Sequence, residues 1–352
     1  MESKHIGILT SGGDAPGLNA VIRAIVVKAI KHNHWQVTGV LDGWKGLLRG
    51  GRTRPIALPE VSGILGLGGT ILKTSRTNPL KKEGGVEEVL QTIKSLRIDA
   101  IIAIGGEDTQ GVAFGLSERG IPLVGVPKTI DNDLAGTDYC FGFDTAVNTV
   151  MEAIDRVRTT TESHKRVMVV EVMGRHAGWI ALQGGISGGA DAILIPERQT
   201  SLDELCTLIT RRHEGGKDWS IVVVAEGADI TASTSNGKGK LILQDNGTDE
   251  FGHVRLGGIG QTLAREIEER TGYQTREVIL GHVQRGGSPT AYDRYLCTRF
   301  GLHAVRLVEQ GQFGRMVCLK GNEISSVPLS EVAGTTRTVP PELYEEAAYF
   351  FG

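Results

Sequence analysis

The chain lacks the marks of several functional classes. It has only four cysteines, Cys140, Cys206, Cys297 and Cys318, and none stands at metal-ligand spacing from another. That excludes a disulfide framework and a zinc knuckle, and the thiols are expected to stay reduced in a cytoplasmic protein. No apolar run reaches the roughly 18 residues that a membrane span needs. The start, MESKHIGILTSGG, passes directly into a strand pattern without a signal-like segment. Excess positive charge is absent as well: the formal net charge is −3. Neither nucleic acid nor an anionic membrane is therefore an expected partner, and any anion must be held locally. The spaced Gly-Lys-Ser/Thr of a Walker loop and the dinucleotide fingerprint are both missing.

Glycine is what the chain has in excess, 49 of 352 residues, about twice the usual share of roughly 7%. Many of these glycines follow apolar runs, where a bare backbone lets a ligand approach closely. Strand-like runs recur at His5–Leu9, Gln36–Leu41, Asp99–Ile104, Leu123–Val126 and Arg166–Val172, then at Ala192–Ile195, Ser220–Ala225, Glu277–Leu280 and Met316–Leu319. Several are nearly continuous Val, Ile and Leu, as expected of parallel strands covered on both faces. Helical patterns fill the gaps at Gly17–His32, Phe143–Thr160 and Gly258–Thr271. The alternation predicts an α/β fold of two doubly wound domains with mostly parallel sheets. The polar stretch Asp229–Gly252 reads as an exposed loop or hairpin rather than a linker.

Three sets of residues carry chemistry. Leu9 to Asn19 (LTSGGDAPGLN) is a strand, a glycine turn and a helix start, which suits either an anion or simply a tight connection. The second set is the pair GGEDT (105–109) and PKTIDND (127–133), each directly after an apolar strand. Carboxyl ends of parallel strands are where ligands sit, so Glu107, Asp131 and Asp133 are placed to hold Mg²⁺ or to take a proton. Asp108 and Lys128 set opposite charges where a phosphoryl donor would lie. Phosphoryl transfer needs both a metal to neutralise donor oxygens and a carboxylate to receive the acceptor's proton. The third set is basic: Arg76, Arg166, Arg175, Arg276, His282 and Arg285, most of them beside strand ends or glycine turns. Arginine forks match phosphate geometry.

The ordered strings LTSGGDAPGLNA, GGEDT, PKTIDND, SHKRVMVVEVMGRHAG, AEG and LGHVQRGGSPTAYDR resemble the phosphofructokinase family from about residue 5 to residue 320. The resemblance implies a phosphoryl-donor domain at 1–142 plus about 284–335, and a sugar-phosphate domain at about 143–283 plus 336–352. It implies that Asp131 is the base for the sugar 1-hydroxyl, that Asp133 supports it, and that Glu107 helps to hold Mg²⁺. Thr129, Asp131, Met173, Gly174 and Glu226 would contact the sugar, and Arg175 with Arg76 would brace the transferring group. Arg166, Arg276, His282 and Arg285 would clamp the 6-phosphate. Arg166 and Arg276 would come from a neighbouring subunit, making the working unit a homodimer or homotetramer.

ATP-using members of the family read GGDGS and PGTIDND at these places, whereas this chain has Glu107, Asp108 and Lys128. In that respect it resembles the pyrophosphate-dependent members. A carboxylate ~4 Å from a phosphate charge costs roughly 4 kcal/mol at an effective dielectric near 20, about three decades of affinity against an α-phosphate. A lysine facing a short, highly charged donor supplies compensating charge. Pyrophosphate, held by Gly12, Gly13, Arg76, Asp108 and Lys128, is thus the expected donor to fructose 6-phosphate in a reversible transfer. ATP-dependent phosphofructokinase activity is the alternative. Trp44, which matches a position that stacks adenine in ATP enzymes, is a dissenting feature, readable also as a vestige or a packing residue. The family's regulatory pocket is only partly matched: Arg23 and Arg158 are present, but Val27 stands where another arginine belongs, so a non-allosteric enzyme is expected.

Overall fold

The computed structural model describes residues 3–234, 237–240, 244–248 and 254–352. The chain divides into two compact units. The first comprises Met1–Thr145 and Arg285–Thr336, the second Ala146–Gln284 and Arg337–Gly352.

The first unit is built on a seven-stranded sheet. Its order is Glu323–Pro328, Arg315–Lys320, Leu123–Pro127, Ala100–Gly105, His5–Thr10, Gln36–Val40 and Thr53–Pro55. The five inner strands run parallel and only the two edge strands are antiparallel to their neighbours. Every residue of Ala100–Gly105 and Leu123–Pro127 is buried. Alternation along the strands divides the core between the two faces. Ile6, Ile8, Ile102 and Ile104 pack with the helices Leu18–Val26 and Ala291–Glu309, while Leu9, Ile101 and Ala103 pack with the helix Glu107–Ser117. From His5–Thr10 the chain crosses to Gln36–Val40 on one side and later inserts Ala100–Gly105 on the other. That reversal is a topological switch point, and ligands of open α/β sheets bind outside the carboxyl ends there.

The helix expected at Gly17–His32 changes character midway. It is α-helical over Leu18–Val26 and widens to a π-helix over Val27–His32, with the Asn33 amide donating to Lys28 O at 3.2 Å. Lys28 and Asn33 both bind Glu309, at 2.9 and 2.6 Å. Residues five apart are about 140° apart around an α-helix, and the wider turn brings them toward one face.

The second unit holds a parallel four-stranded sheet in the order Thr275–Ile279, Val167–Val172, Ser220–Ala225 and Ala192–Leu194. Val169, Leu194, Val222 and Val224 pack against Leu205, Ile209, Leu263 and Ile267 of the helices Leu202–Glu214 and Ile259–Thr271. Within 229–252, Ile230–Thr234 pairs antiparallel with Gly237–Lys240, and Gln244–Thr248 pairs antiparallel with Val254–Leu256. Residues 235–236, 241–243 and 249–253 of that stretch lie outside the described residues. No described helix is long and apolar enough to cross a membrane.

One buried carboxylate ties two helix starts together in the first unit. Asp293 accepts hydrogen bonds from the amides of Gly142 and Thr145 (both 2.9 Å) and from the Thr145 hydroxyl (2.6 Å). Burial pushes its carboxyl up from 3.8 to about 6. The folded state therefore holds this proton more tightly than the unfolded chain. The resulting stability is fully present below about pH 4 and is lost as pH rises through about 6. Asp293→Asn should flatten the unfolding free energy between those values. Asp293→Ala should cost about 1–3 kcal/mol for each stranded buried donor, read as a lower urea midpoint.

Candidate active site

At the carboxyl end of His5–Thr10 the chain enters the turn 11–17. The Ser11 amide donates to Ile104 O and the Gly12 amide to Ser75 O, both at 3.0 Å, and the Thr74 hydroxyl donates to Gly12 O at 2.6 Å. Gly12 has φ +82, and with its amide engaged it offers room rather than a donor. Arg76 follows Ser75 on the exposed side of this contact. Gly13 is under two cations. The Lys128 ammonium donates to its carbonyl, and a Cβ on Gly13 would fall 2.6 Å from Arg285 Nη1.

Arg285, grouped with the 6-phosphate residues on sequence grounds, thus lies in the first unit against the glycine turn, where Nη1 also donates to Asp14 O at 3.2 Å. Trp44 has no exposed surface and packs with Leu9, Val40 and Leu47. Its ring has no face to offer an adenine.

The next two strands deliver the acidic loops. Ala100–Gly105 runs through Gly106 into the helix Glu107–Ser117, so Glu107 and Asp108 occupy a first helical turn, where the macrodipole favours anions. Glu107 Oε1 accepts the Gly334 amide at 3.0 Å. Leu123–Pro127 leads to Lys128, Thr129 and Asp131, all buried. Lys128 is pushed down from 10.5 to about 8, chiefly by burial and then by Arg285, against the pull of Asp131, Asp14 and Asp133.

The Asp131 amide donates to Thr129 Oγ1 at 3.0 Å, and Asn132, at φ +53, accepts the Cys140 amide at 2.9 Å. Asn tolerates that left-handed conformation better than most residues. Asp131 Oδ1 is buried with no hydrogen-bond partner among the described residues, a state that calls for a functional reason.

In the second unit, Met173, Gly174 and Arg175 leave the carboxyl end of Val167–Val172, and Glu226 leaves that of Ser220–Ala225. Gly174 and Arg175 both have positive φ, +144 and +51, and the Arg175 amide donates to Glu226 Oε1 at 3.1 Å. A non-glycine residue held there is under backbone strain, which clusters at ligand sites. His282, exposed, follows the carboxyl end of Thr275–Ile279.

Arg166 and Arg276 do not join this group. Arg166 precedes its strand, with Nε on Gln274 Oε1 at 2.6 Å, and Arg276 is in register with Met168. Five residues of strand separate Met168 from Met173, about 16 Å. Within one chain the two arginines belong to the amino end of the sheet and the others to the carboxyl end.

Some supporting residues had no role assigned from the sequence. Gln284, fully buried, accepts the Met173 amide at 3.3 Å and donates to Gly281 O at 3.0 Å. Glu171 accepts the amides of Gly258 and Gly260 at 3.0 and 2.7 Å, which anchors the start of Ile259–Thr271. Both lie inside strings quoted above, GHVQRGG and SHKRVMVVEVMGRHAG, but nothing local marks the backbone amides that they bind.

A divalent metal fits the acidic loop that follows Ala100–Gly105. The described residues contain no cluster of three or more His, Cys, Asp or Glu side chains. Mg²⁺ that rides on phosphate oxygens keeps several waters and takes only one or two carboxylates. Glu107 meets that need, since Gly334 uses one of its carboxylate's roughly four acceptor sites.

A rim built in this way suits a protein that handles phosphoryl groups. The chain belongs to the phosphofructokinase family, whose model, Phosphofructokinase, matches residues 5–308. It is 58% identical over 349 residues to the pyrophosphate--fructose 6-phosphate 1-phosphotransferase of Amycolatopsis methanolica, covering 99% of this chain and 100% of that protein. It is 52% identical over 343 residues to ATP-dependent 6-phosphofructokinase 3 of Streptomyces coelicolor, covering 97% and 98%. Among solved structures, phosphofructokinase from Saccharomyces cerevisiae matches with a TM-score of 0.78 and 33% identity. That match covers 94% of this chain and 45% of the yeast chain. Members of this family generally use a divalent metal.

The Lys128 ammonium keeps its proton below about pH 8 and loses it above. Affinity for inorganic pyrophosphate, measured by titration calorimetry, should weaken as pH rises through that value. Lys128→Arg, which stays charged, should remove the dependence. Affinity that is constant across this range would place Lys128 beyond the anion's reach.

Proposed function

We propose that the chain reversibly transfers a phosphoryl group from pyrophosphate to the 1-hydroxyl of fructose 6-phosphate, giving fructose 1,6-bisphosphate and phosphate. The observation that carries this reading is the buried Lys128 ammonium on the Gly13 carbonyl, in the field of an Asp131 carboxylate whose Oδ1 has no partner among the described residues. Asp131 takes the proton of the 1-hydroxyl, and Thr129 holds its loop through the Asp131 amide. Lys128, Arg285 and Arg76 meet the charge of the donor, and Asp108 excludes the α-phosphate of a nucleotide. Glu107 would hold Mg²⁺, whose charge would offset that of the donor oxygens. Arg175, Met173, Gly174, Glu226, Asp133 and His282 bind the sugar phosphate.

The first unit serves the donor and the second the sugar. The strand register that keeps Arg166 and Arg276 from the carboxyl rim of their own sheet supports their serving a neighbouring subunit, in a homodimer or homotetramer of the cytoplasm. Regulation by nucleotide or phosphoenolpyruvate is weak or absent. Arg158 is bound to the carbonyls of Gly188 and Gly189, so a cation that an effector would need is engaged internally. A second reading, ATP as donor, is favoured by the 52% identical relative of that name.

Initial rates with pyrophosphate and with ATP separate the two readings, and a wild type that prefers ATP overturns the first. Asp108→Gly should make ATP a detectable donor while lowering turnover with pyrophosphate.

Asp131→Asn should lower kcat about 10²–10⁴-fold with little change in affinity for fructose 6-phosphate. Near-normal turnover would remove Asp131 from the role of base. Arg276→Ala should raise KM for fructose 6-phosphate far more than for the donor. Mixed with the Asp131→Asn protein it should regain activity through hybrid oligomers; hybrids that form without activity would show that the site is not shared.

A further inference from the structure

The first turn of the helix Glu107–Ser117 carries a polar residue turned away from any ligand. Gln110 has no exposed surface. Its Nε2 donates to Gly105 O and to Val126 O, each at 3.0 Å. Both neighbours can only accept, so the amide nitrogen must face them and the assignment of its two ends is unambiguous. The two carbonyls belong to different strands. They sit at the last pairs of the ladder, Ile104 with Val126 and Gly105 with Pro127. One step further the strands become the GGED and PKTIDND loops. Pro127 has no amide hydrogen to offer, and the ladder closes with the Lys128 amide donating to that same Gly105 O at 3.0 Å. Gln110 and the Lys128 backbone therefore share one acceptor.

Packing alone does not account for an amide here. Gln110 Oε1 is buried without a partner among the described residues, a cost that a methionine of the same shape would avoid. The site is also shaped around this oxygen, since a Cβ on Gly125 would fall 2.2 Å from it. The Gln110 amide donates to Gly106 O at 3.0 Å, which locks the residue into the turn that bears Glu107 and Asp108.

We propose that Gln110 is a positioning residue for the phosphoryl donor: its forked amide holds the end of one strand to the end of the next and so sets Lys128 against Glu107 and Asp108. This rests on the reading of those three residues as the donor side. Misplacing a binding group by about 1 Å costs on the order of 10²-fold in rate, and the fork is the tie that resists such a slip.

The test uses the full-length protein and the donor that the wild type turns over. A wild type that uses ATP alone overturns the pyrophosphate reading and leaves this test to be read with ATP. Gln110→Met keeps the volume and removes the donors. It should lower kcat/KM for the donor about 10–100-fold, change KM for fructose 6-phosphate less than about twofold, and move the pH at which donor affinity falls away from the wild-type value near 8. Gly125→Ala, with Gln110 intact, should reproduce the pattern by pushing the amide off its carbonyls. Donor kinetics within about twofold of wild type in both variants would overturn the proposal. A parallel loss of donor and sugar parameters with melting temperature, or failure of both variants to fold, would also overturn it and assign Gln110 to core stability alone.

Discussion

Parallel strands must each be reached by a crossover, so their carboxyl ends gather at one rim and the loops that follow lie side by side. In the first unit this constraint does most of the arranging. The register that pairs Ile104 with Val126 and Gly105 with Pro127 makes GGED and PKTIDND neighbours although some twenty residues separate them in the chain. The register of His5–Thr10 against Ala100–Gly105 adds the glycine turn to the same rim. Glycine is needed where first helical turns press on strand ends: a Cβ on Gly105 would lie 2.3 Å from Thr109 Oγ1.

On that rim the electrostatics are held near balance. Burying the Lys128 ammonium is costly, and Asp14, Asp131 and Asp133 offset part of that cost while Arg285 adds to it. The result is a cation poised to gain from a polyanion, because an incoming diphosphate supplies the charge that the fold leaves short. Asp108 works in the opposite sense. Its place in a first helical turn favours an anion there, and under the proposed reading it resists a second anion where a nucleotide would extend. Under that reading, discrimination between donors that share a reacting phosphoryl group is carried by repulsion as much as by attraction.

The second unit repeats the rule with a different outcome. Met173, Arg175, Glu226 and His282 follow carboxyl ends, whereas Arg166 and Arg276 stand at amino ends. Strand direction separates them as firmly as it unites the others. The proposal that they serve the same phosphate as the others therefore needs a second copy of the chain.

Apolar runs, glycine turns and the charged strings after strands were legible in the sequence because each is a local pattern with a local cause. A parallel strand must be apolar on both faces, and a loop at its end is where a carboxylate can meet a ligand. The place of Arg285 was not legible, because a string such as GHVQRGG does not say where the chain passes from one unit to the other. There His282 and Gln284 belong to the second unit and Arg285 to the first. Trp44 was ambiguous for a related reason, since an aromatic side chain reads alike whether it stacks on a ligand or fills a core, and only packing buried it. Gln110 lay outside every informative string, and Gln284, Glu171 and Asp293 lay inside such strings with no role legible there. Each acts by hydrogen bonds to backbone groups distant in sequence, such as Val126 O for Gln110 and Gly142 N for Asp293. Backbone carbonyls and amides are the same at every residue, so no residue pattern marks such partners and only the folded chain brings them within reach.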